Sequence, residues 1–362
     1  MSLAHIGIID AVFWLATALG EVPTGVIADR YGRKTSMLLG TALYTVSISL
    51  VAFVESFPVI ILAYVGWGIA LTLTSGADEA LLYESLKADN RTHEYTSVYS
   101  RVEVIQVSAR AIGSVVGGFL AGVMLALPFW ISALLGLLTF VVVLTMKEPP
   151  QELETTSQRY TDIMLASLHL IRTRPIMRWA LFYLAVIPLG PFIISFVYIQ
   201  PYALQVGLQI ESLGILVMLI NLAAMIGVLL APRLIRLAGE VRTLVVIPPI
   251  LLMGLITLSL ITAWHGLIVM AGLSLFMAVI RPVVMTIIHR ELNDNVRATI
   301  VSLGSLAFTL LLAIFSPIYG WLADTRGLSA VFAVMAISLA IAMFLASQMR
   351  RPRFLARRIS SS

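Results

Sequence analysis

The chain has 362 residues, of which 59% are hydrophobic and only 12% charged, with a formal net charge of +5. Soluble globular proteins carry about 45–50% apolar and about 25% charged residues, so this composition excludes an ordinary soluble domain. With no cysteine, disulfides, thiolate metal sites, iron–sulfur clusters and cysteine nucleophiles are excluded as well.

A hydrocarbon core about 30 Å thick takes about 20 apolar residues per helix. Apolar runs of that order fall at 4–27, 35–54, 58–86, 96–126, 128–146, 176–204, 211–235, 241–262, 266–288, 299–322 and 328–348. They predict an all-α membrane protein with eleven transmembrane helices. A β-barrel would alternate polar and apolar residues, and these runs are unbroken. The first run contains Asp10 and Glu21 and lacks a basic leader, so it does not read as a signal peptide.

The breaks between runs alternate in charge. Arg30, Arg33 and Lys34 lie in the first, Lys87, Arg91 and Arg101 in or beside the third. Of the 24 Lys and Arg residues, only Arg110, Arg281 and Arg326 lie outside this alternating basic set. Basic loops face the cytoplasm. The C-terminus is therefore expected inside and, with eleven spans, the N-terminus outside. The positive charge reflects topology, and a nucleic-acid partner is not expected.

The long break at 147–175 separates a bundle at 1–146 from one at 176–348, and a basic tail follows at 349–362. The break places Tyr160, Met164, Leu168 and Ile171 at helical spacing, the pattern of an amphipathic linker helix lying on the membrane surface. The halves resemble each other. Ala111-Ile112-x-Ser114-x-x-x-Gly118-Phe119-Leu120-Ala121 matches Ala313-Ile314-x-Ser316-x-x-x-Gly320-Trp321-Leu322-Ala323, and Arg30 aligns with Arg236 at an offset of 206. Transporters built from repeats place their substrate site near mid-membrane, where the repeats meet.

The first basic break reads Gly25-Val-Ile-Ala28-Asp29-Arg30-Tyr31-Gly32-Arg33-Lys34. It resembles the signature loop of the major facilitator superfamily, between that family's second and third helices. Glu21-Val-Pro-Thr-Gly25 and Ser75-Gly-Ala-Asp78-Glu79-Ala-Leu-Leu-Tyr-Glu84 look like its bacterial efflux-type branch. The resemblance runs from the family's second helix to its twelfth. It implies two pseudo-repeated bundles, twelve helices in the family against eleven here, with residues 1–27 as the second and the first not represented. It further implies a multi-pass protein of a prokaryotic plasma membrane, acting as a monomer on a small-molecule substrate and protons, without a cofactor.

In the family the signature loop latches one conformation. The resemblance carries that role to Gly25, Asp29, Arg30, Gly32, Arg33 and Lys34, with Arg33 reaching Glu84 or Glu79 and Asp29 lying near a helix N-terminus. Topology-setting loop charge is the competing reading. Three departures stand out. The family's antiport motif G-P-x-x-G-G appears as Gly113-Ser114-Val-Val-Gly117-Gly118, which plain helix packing also explains. Tyr64 stands where a coupling arginine usually lies. The second-half counterpart of the signature, Ala231-Pro-Arg233-Leu-Ile-Arg236-Leu-Ala-Gly239, is degenerate.

Ionisable residues inside spans are costly and mark functional candidates. Arg110 is expected to pair with Glu21 or Glu103, and a proton on that carboxylate to break the pair, because burial raises a carboxylate's pKa and an adjacent arginine lowers it. A static salt bridge is the alternative. Asp78, Glu79 and Arg281 are candidates for coupling or the substrate cavity, with helix-end capping as the alternative, and Asn221 for the cavity or for helix–helix bonding. No metal-binding or nucleophile motif is present. The expected function is secondary active transport, proton-coupled efflux of small organic or drug-like molecules, with a nutrient importer, a facilitator or a non-transporting membrane protein as alternatives. Enzymatic activity is not expected.

Overall fold

The computed structural model describes residues 1–149, 173, 175–291 and 294–348. The amphipathic pattern at 160–171 and the basic tail at 349–362 lie outside them. Among the described residues no strand occurs, and eleven helical stretches are long and apolar enough to cross a membrane. The chain divides into two compact units, Met1–Thr155 with Gln209–Met218, and Thr156–Leu208 with Leu219–Ser362.

The first unit contains α1 (Leu3–Tyr31), α2 (Arg33–Phe53), α3 (Phe57–Thr74), α4 (Ala77–Ala88), α5 (Tyr95–Val123) and α6 (Leu127–Thr145). In lipid no hydrophobic force separates Leu from its surroundings, so helices meet where small residues let backbones approach. Gly68 shows this between α3 and α1, where a Cβ would stand 2.7 Å from the Phe13 carbonyl oxygen. Side-chain hydroxyls add interhelical bonds: Ser36 Oγ donates to the Leu73 carbonyl at 2.6 Å, and Thr24 Oγ1 to that of Thr72 at 3.2 Å. By contrast α5 packs thinly, and its one buried residue is Gly118.

The second unit contains α7 (Pro175–Ala185), α8 (Leu189–Ile193), a π-turn at Ile194–Tyr198, α9 (Ile199–Gln205), most of α10 (Ile210–Ala238), α11 (Glu240–Leu260), α12 (His265–Glu291), α13 (Asp294–Arg326) and α14 (Leu328–Gln348). Its core is dense. Leu244, Leu251, Leu255 and Leu258 on α11 and Val331, Phe332 and Met335 on α14 are buried.

Two apolar runs that read as single helices are interrupted. The run at 58–86 breaks at Ser75-Gly76, where Gly76 takes a left-handed conformation (φ 79°) and α4 starts afresh. The run at 176–204 breaks at Val186–Pro188 and again in the π-turn. Pro188 and Pro191 have no N–H to continue an α-ladder, and π-turns inside helices recur at functional sites. Hydropathy is blind to both breaks because the residues that cause them are apolar or small.

Candidate functional site

The signature loop folds into a one-residue turn. Tyr31 ends α1, Arg33 begins α2, and Gly32 between them has φ 102°. A Cβ on Gly32 would stand 2.9 Å from the Glu148 carboxylate, so glycine is required for close approach as well as for the dihedral. Glu148 accepts the backbone N–H of Arg33 (Oε1, 2.7 Å) and of Lys34 (Oε2, 2.8 Å). It thereby satisfies two of the orphan donors at the start of α2, where the helix dipole also favours negative charge. Lys34 Nζ donates to the Leu144 carbonyl of α6 at 2.9 Å.

Arg33 reaches in two directions. Its Nη1 donates to Asp29 Oδ1 at 2.7 Å, and its Nε to Glu84 Oε1 at 3.5 Å. Asp29 is 70% exposed, so that i,i+4 pair contributes little by itself. The Glu84 side chain is only 27% exposed, and its Oε2 is buried without a hydrogen-bond partner among the described residues. Of the two carboxylates expected for Arg33, the structure selects Glu84. Glu79 instead accepts from the Tyr99 hydroxyl at 3.1 Å. The helix N-terminus capped by a carboxylate is that of α2, and the carboxylate is Glu148, not Asp29. Gly25 lies within α1, and Arg30 is exposed with its guanidinium 5.6 Å from the centre of the Tyr31 ring. In the loop after α4, Arg91 donates to both carboxylate oxygens of Glu94 at 2.8 Å, and this hydrogen bonding raises the Arg91 pKa above its ordinary value.

The second unit repeats the arrangement with its charges exchanged. Gly239, φ 78°, joins α10 to α11 as Gly32 joins α1 to α2. The first residue of α11 is Glu240, buried, and Arg290 near the end of α12 donates to its Oε1 through Nη1 at 2.8 Å. Arg33 and Glu240 correspond at an offset of 207, Glu84 and Arg290 at 206. The loop is degenerate as a sequence match, yet it keeps the turn and the ion pair. The offset that aligns Arg30 with Arg236 was the signal that could have found this pair.

The remaining intramembrane charges behave differently. Glu21 and Arg110 are exposed and Glu103 is half-buried. Arg110 makes no ion pair with either carboxylate. Glu103 and Arg110 share a helix face, but seven residues at 1.5 Å each separate them by about 10 Å, beyond salt-bridge reach. Asp78 and Glu79 sit in the first turn of α4, and Asp78 Oδ1 accepts the Glu79 N–H at 2.8 Å. Within the glycine motif of α5, Gly113 and Gly117 have nothing within 4 Å of an added Cβ. Gly118 lies against Gly214 of α10, and a Cβ on Gly214 would collide with the Ser114 carbonyl. Tyr64, at the position of the family's arginine, packs on Trp67 and Phe13 with ring centres 5.3 and 6.5 Å away.

A cavity of about 570 Å³ opens within the second unit, between the broken α7–α8 stretch, α10, α12 and α13. Its walls are apolar, with Phe192, Phe308, Met277 and Met285 among them, and Arg281 is the charged residue of the lining. Pro282, next to Arg281, lacks the N–H that the Ala278 carbonyl would otherwise accept. Arg281 lines this cavity, which lies within the second unit. Asn221, on α10, is exposed and outside this lining.

The family model of the Major Facilitator Superfamily matches residues 1–307. The chain belongs to that superfamily. The Bacillus subtilis MFS-type transporter YxaM, itself uncharacterized, is 26% identical over 94% of this major facilitator chain and 86% of its own length. The quinolone resistance protein NorA of Staphylococcus aureus is 25% identical over 42% of this chain and 38% of its own. Among solved structures, the nucleoside transporter NupG (D323A mutant) superposes with a TM-score of 0.76 at 14% identity, covering 97% of this chain and 92% of its own. The D-xylose-proton symporter gives 0.76 at 14%, covering 97% and 88%. At such identities these two show the shared fold. The chain is therefore a multi-pass membrane transporter of the major facilitator fold.

Proposed function

We propose that this major facilitator chain exports small organic or drug-like molecules from a prokaryotic cell against proton entry, by alternating access. The observation that carries the reading is the Gly32 network, where Arg33, Asp29, Glu84 and Glu148 tie α1, α2 and α4 together through contacts that can break as a group. A latch of that kind suits a two-state transporter better than a static membrane protein. Export is supported by the likeness to the quinolone resistance protein and by the drug-sized cavity. Its energy source would be the membrane gradient, worth about 2.3 kcal/mol per charge per 100 mV. Glu21, Glu103, Asp78 and Glu79 are the carboxylates available to carry the proton, and Arg110 is the cation further along the Glu103 face of α5. The basic loops and the C-terminus face the cytoplasm in this reading, and one chain is the working unit.

The test is dye accumulation in efflux-deficient bacteria expressing the chain, with and without a protonophore. Reduced accumulation that the protonophore restores is the expected result. Unchanged accumulation, with the protein found in the membrane, removes the export reading. An importer or facilitator is the second reading, favoured by Tyr64 in place of an arginine, and substrate driven inward by an imposed proton gradient would select it.

A further inference from the structure

We propose that the cavity of the second unit binds an amphipathic organic anion, with an apolar, ring-containing body and a carboxylate or sulfonate that Arg281 receives. This deepens the transport reading and rests on it, since it names the class of substrate that the cavity takes.

Arg281 lies roughly 14 Å along α12 from Arg290, at 1.5 Å per residue. A guanidinium within a span without a counter-charge is costly, so it is retained where it does something. Among the described residues no carboxylate stands within ion-pair distance of it, and the cavity lining contains no acidic side chain. The missing counter-charge is what a bound anion would supply, through a planar fork that fits a carboxylate or sulfonate in bidentate fashion. A cation in the same cavity would meet repulsion and no compensating partner.

The walls specify the rest of the molecule. Phe192 and Phe308 meet edge-to-face with ring centres 5.0 Å apart, offering aromatic edges and faces to a ring of the ligand. Met277 and Met285 add flexible, polarizable contacts that adapt to several shapes. At about 570 Å³ the volume lies in the range of small-molecule sites.

Two dyes on the same ring system separate charge from shape. Fluorescein carries a carboxylate, and rhodamine 123 is a cation of nearly the same body. Their binding to the purified, detergent-solubilised chain is read by fluorescence anisotropy. The unmodified protein is expected to bind fluorescein at least about tenfold more tightly than rhodamine 123. Arg281→Gln should remove that preference, Arg281→Lys should keep part of it, and Arg281→Glu should turn it toward rhodamine 123. Equal or tighter binding of rhodamine 123, or binding of neither dye, by the unmodified protein overturns the proposal without need of any variant. An unchanged preference in a folded Arg281→Gln protein overturns it too. No gradient is present in detergent, so the outcomes separate. Anion binding without flux in cells sinks the export reading alone, and export without anion preference sinks this proposal alone.

Discussion

The Glu148 carboxylate accepts the backbone N–H groups of both Arg33 and Lys34, at 2.7 and 2.8 Å, across more than a hundred residues of sequence. It joins the segment after α6 to the start of α2, beside the turn that presents Arg33 to Asp29 and Glu84. Replacing it with alanine strips the cap from α2, at a cost of about 1 kcal/mol. Glu148→Ala is expected to lower the melting temperature in detergent and to reduce transport, whereas Glu148→Gln, which keeps an acceptor, should lose less. Equal losses in the two variants would mean that the charge, not the hydrogen bonds, matters.

Asp29 is largely exposed, so its removal should leave folding nearly untouched and act on switching. Asp29→Asn is expected to insert normally and to transport at least several-fold more slowly. Full activity would confine the latch to Arg33, Glu84 and Glu148. Transport rate and membrane content, measured on the same cells, decide the matter.

Exchange of charge between the two ion pairs can be tested directly. Arg290→Ala removes the ion pair from buried Glu240 and should destabilise the chain by about 1–3 kcal/mol. Glu240→Arg with Arg290→Glu should recover most of what either single substitution loses. A double-mutant cycle on thermal stability gives the coupling, and strict additivity would show that the contact is incidental.

The glycines of α5 divide by position. Gly118→Ala would place a methyl group 2.7 Å from the Gly214 nitrogen, so a lower melting temperature and weaker transport are expected. Gly113→Ala meets open space and should be neutral or slightly stabilising, because alanine is the better helix former. If both behave alike, packing on Gly214 is not what the motif provides.

Proton coupling has a corresponding test. Glu21 is exposed and Arg110 does not reach it, so charge rather than a preformed pair is at issue. Glu21→Gln should abolish dependence of flux on a proton gradient if Glu21 carries the proton. Retained dependence passes the role to Glu103, Asp78 or Glu79, and flux in everted vesicles at two imposed gradients reads the difference.

Length, hydrophobic runs and loop charge were enough to determine that this is a helical membrane protein with eleven candidate spans. The residues Gly25 to Lys34 were enough to determine its superfamily. Both are carried by contiguous stretches, where transfer free energy and backbone requirements act within one helix or one turn. Tertiary structure alone decided which carboxylate Arg33 meets, that Glu148 caps α2, that Glu240 and Arg290 repeat the Arg33–Glu84 ion pair with exchanged charge, and that Gly118 rather than Gly113 packs on a neighbour. It also left Arg110 without an ion pair to Glu103, which helix periodicity places on its face, or to Glu21, which the family resemblance had brought near it. Those outcomes depend on the angle and depth at which helices cross. That geometry follows from the packing of residues distant in the chain, which no local pattern encodes.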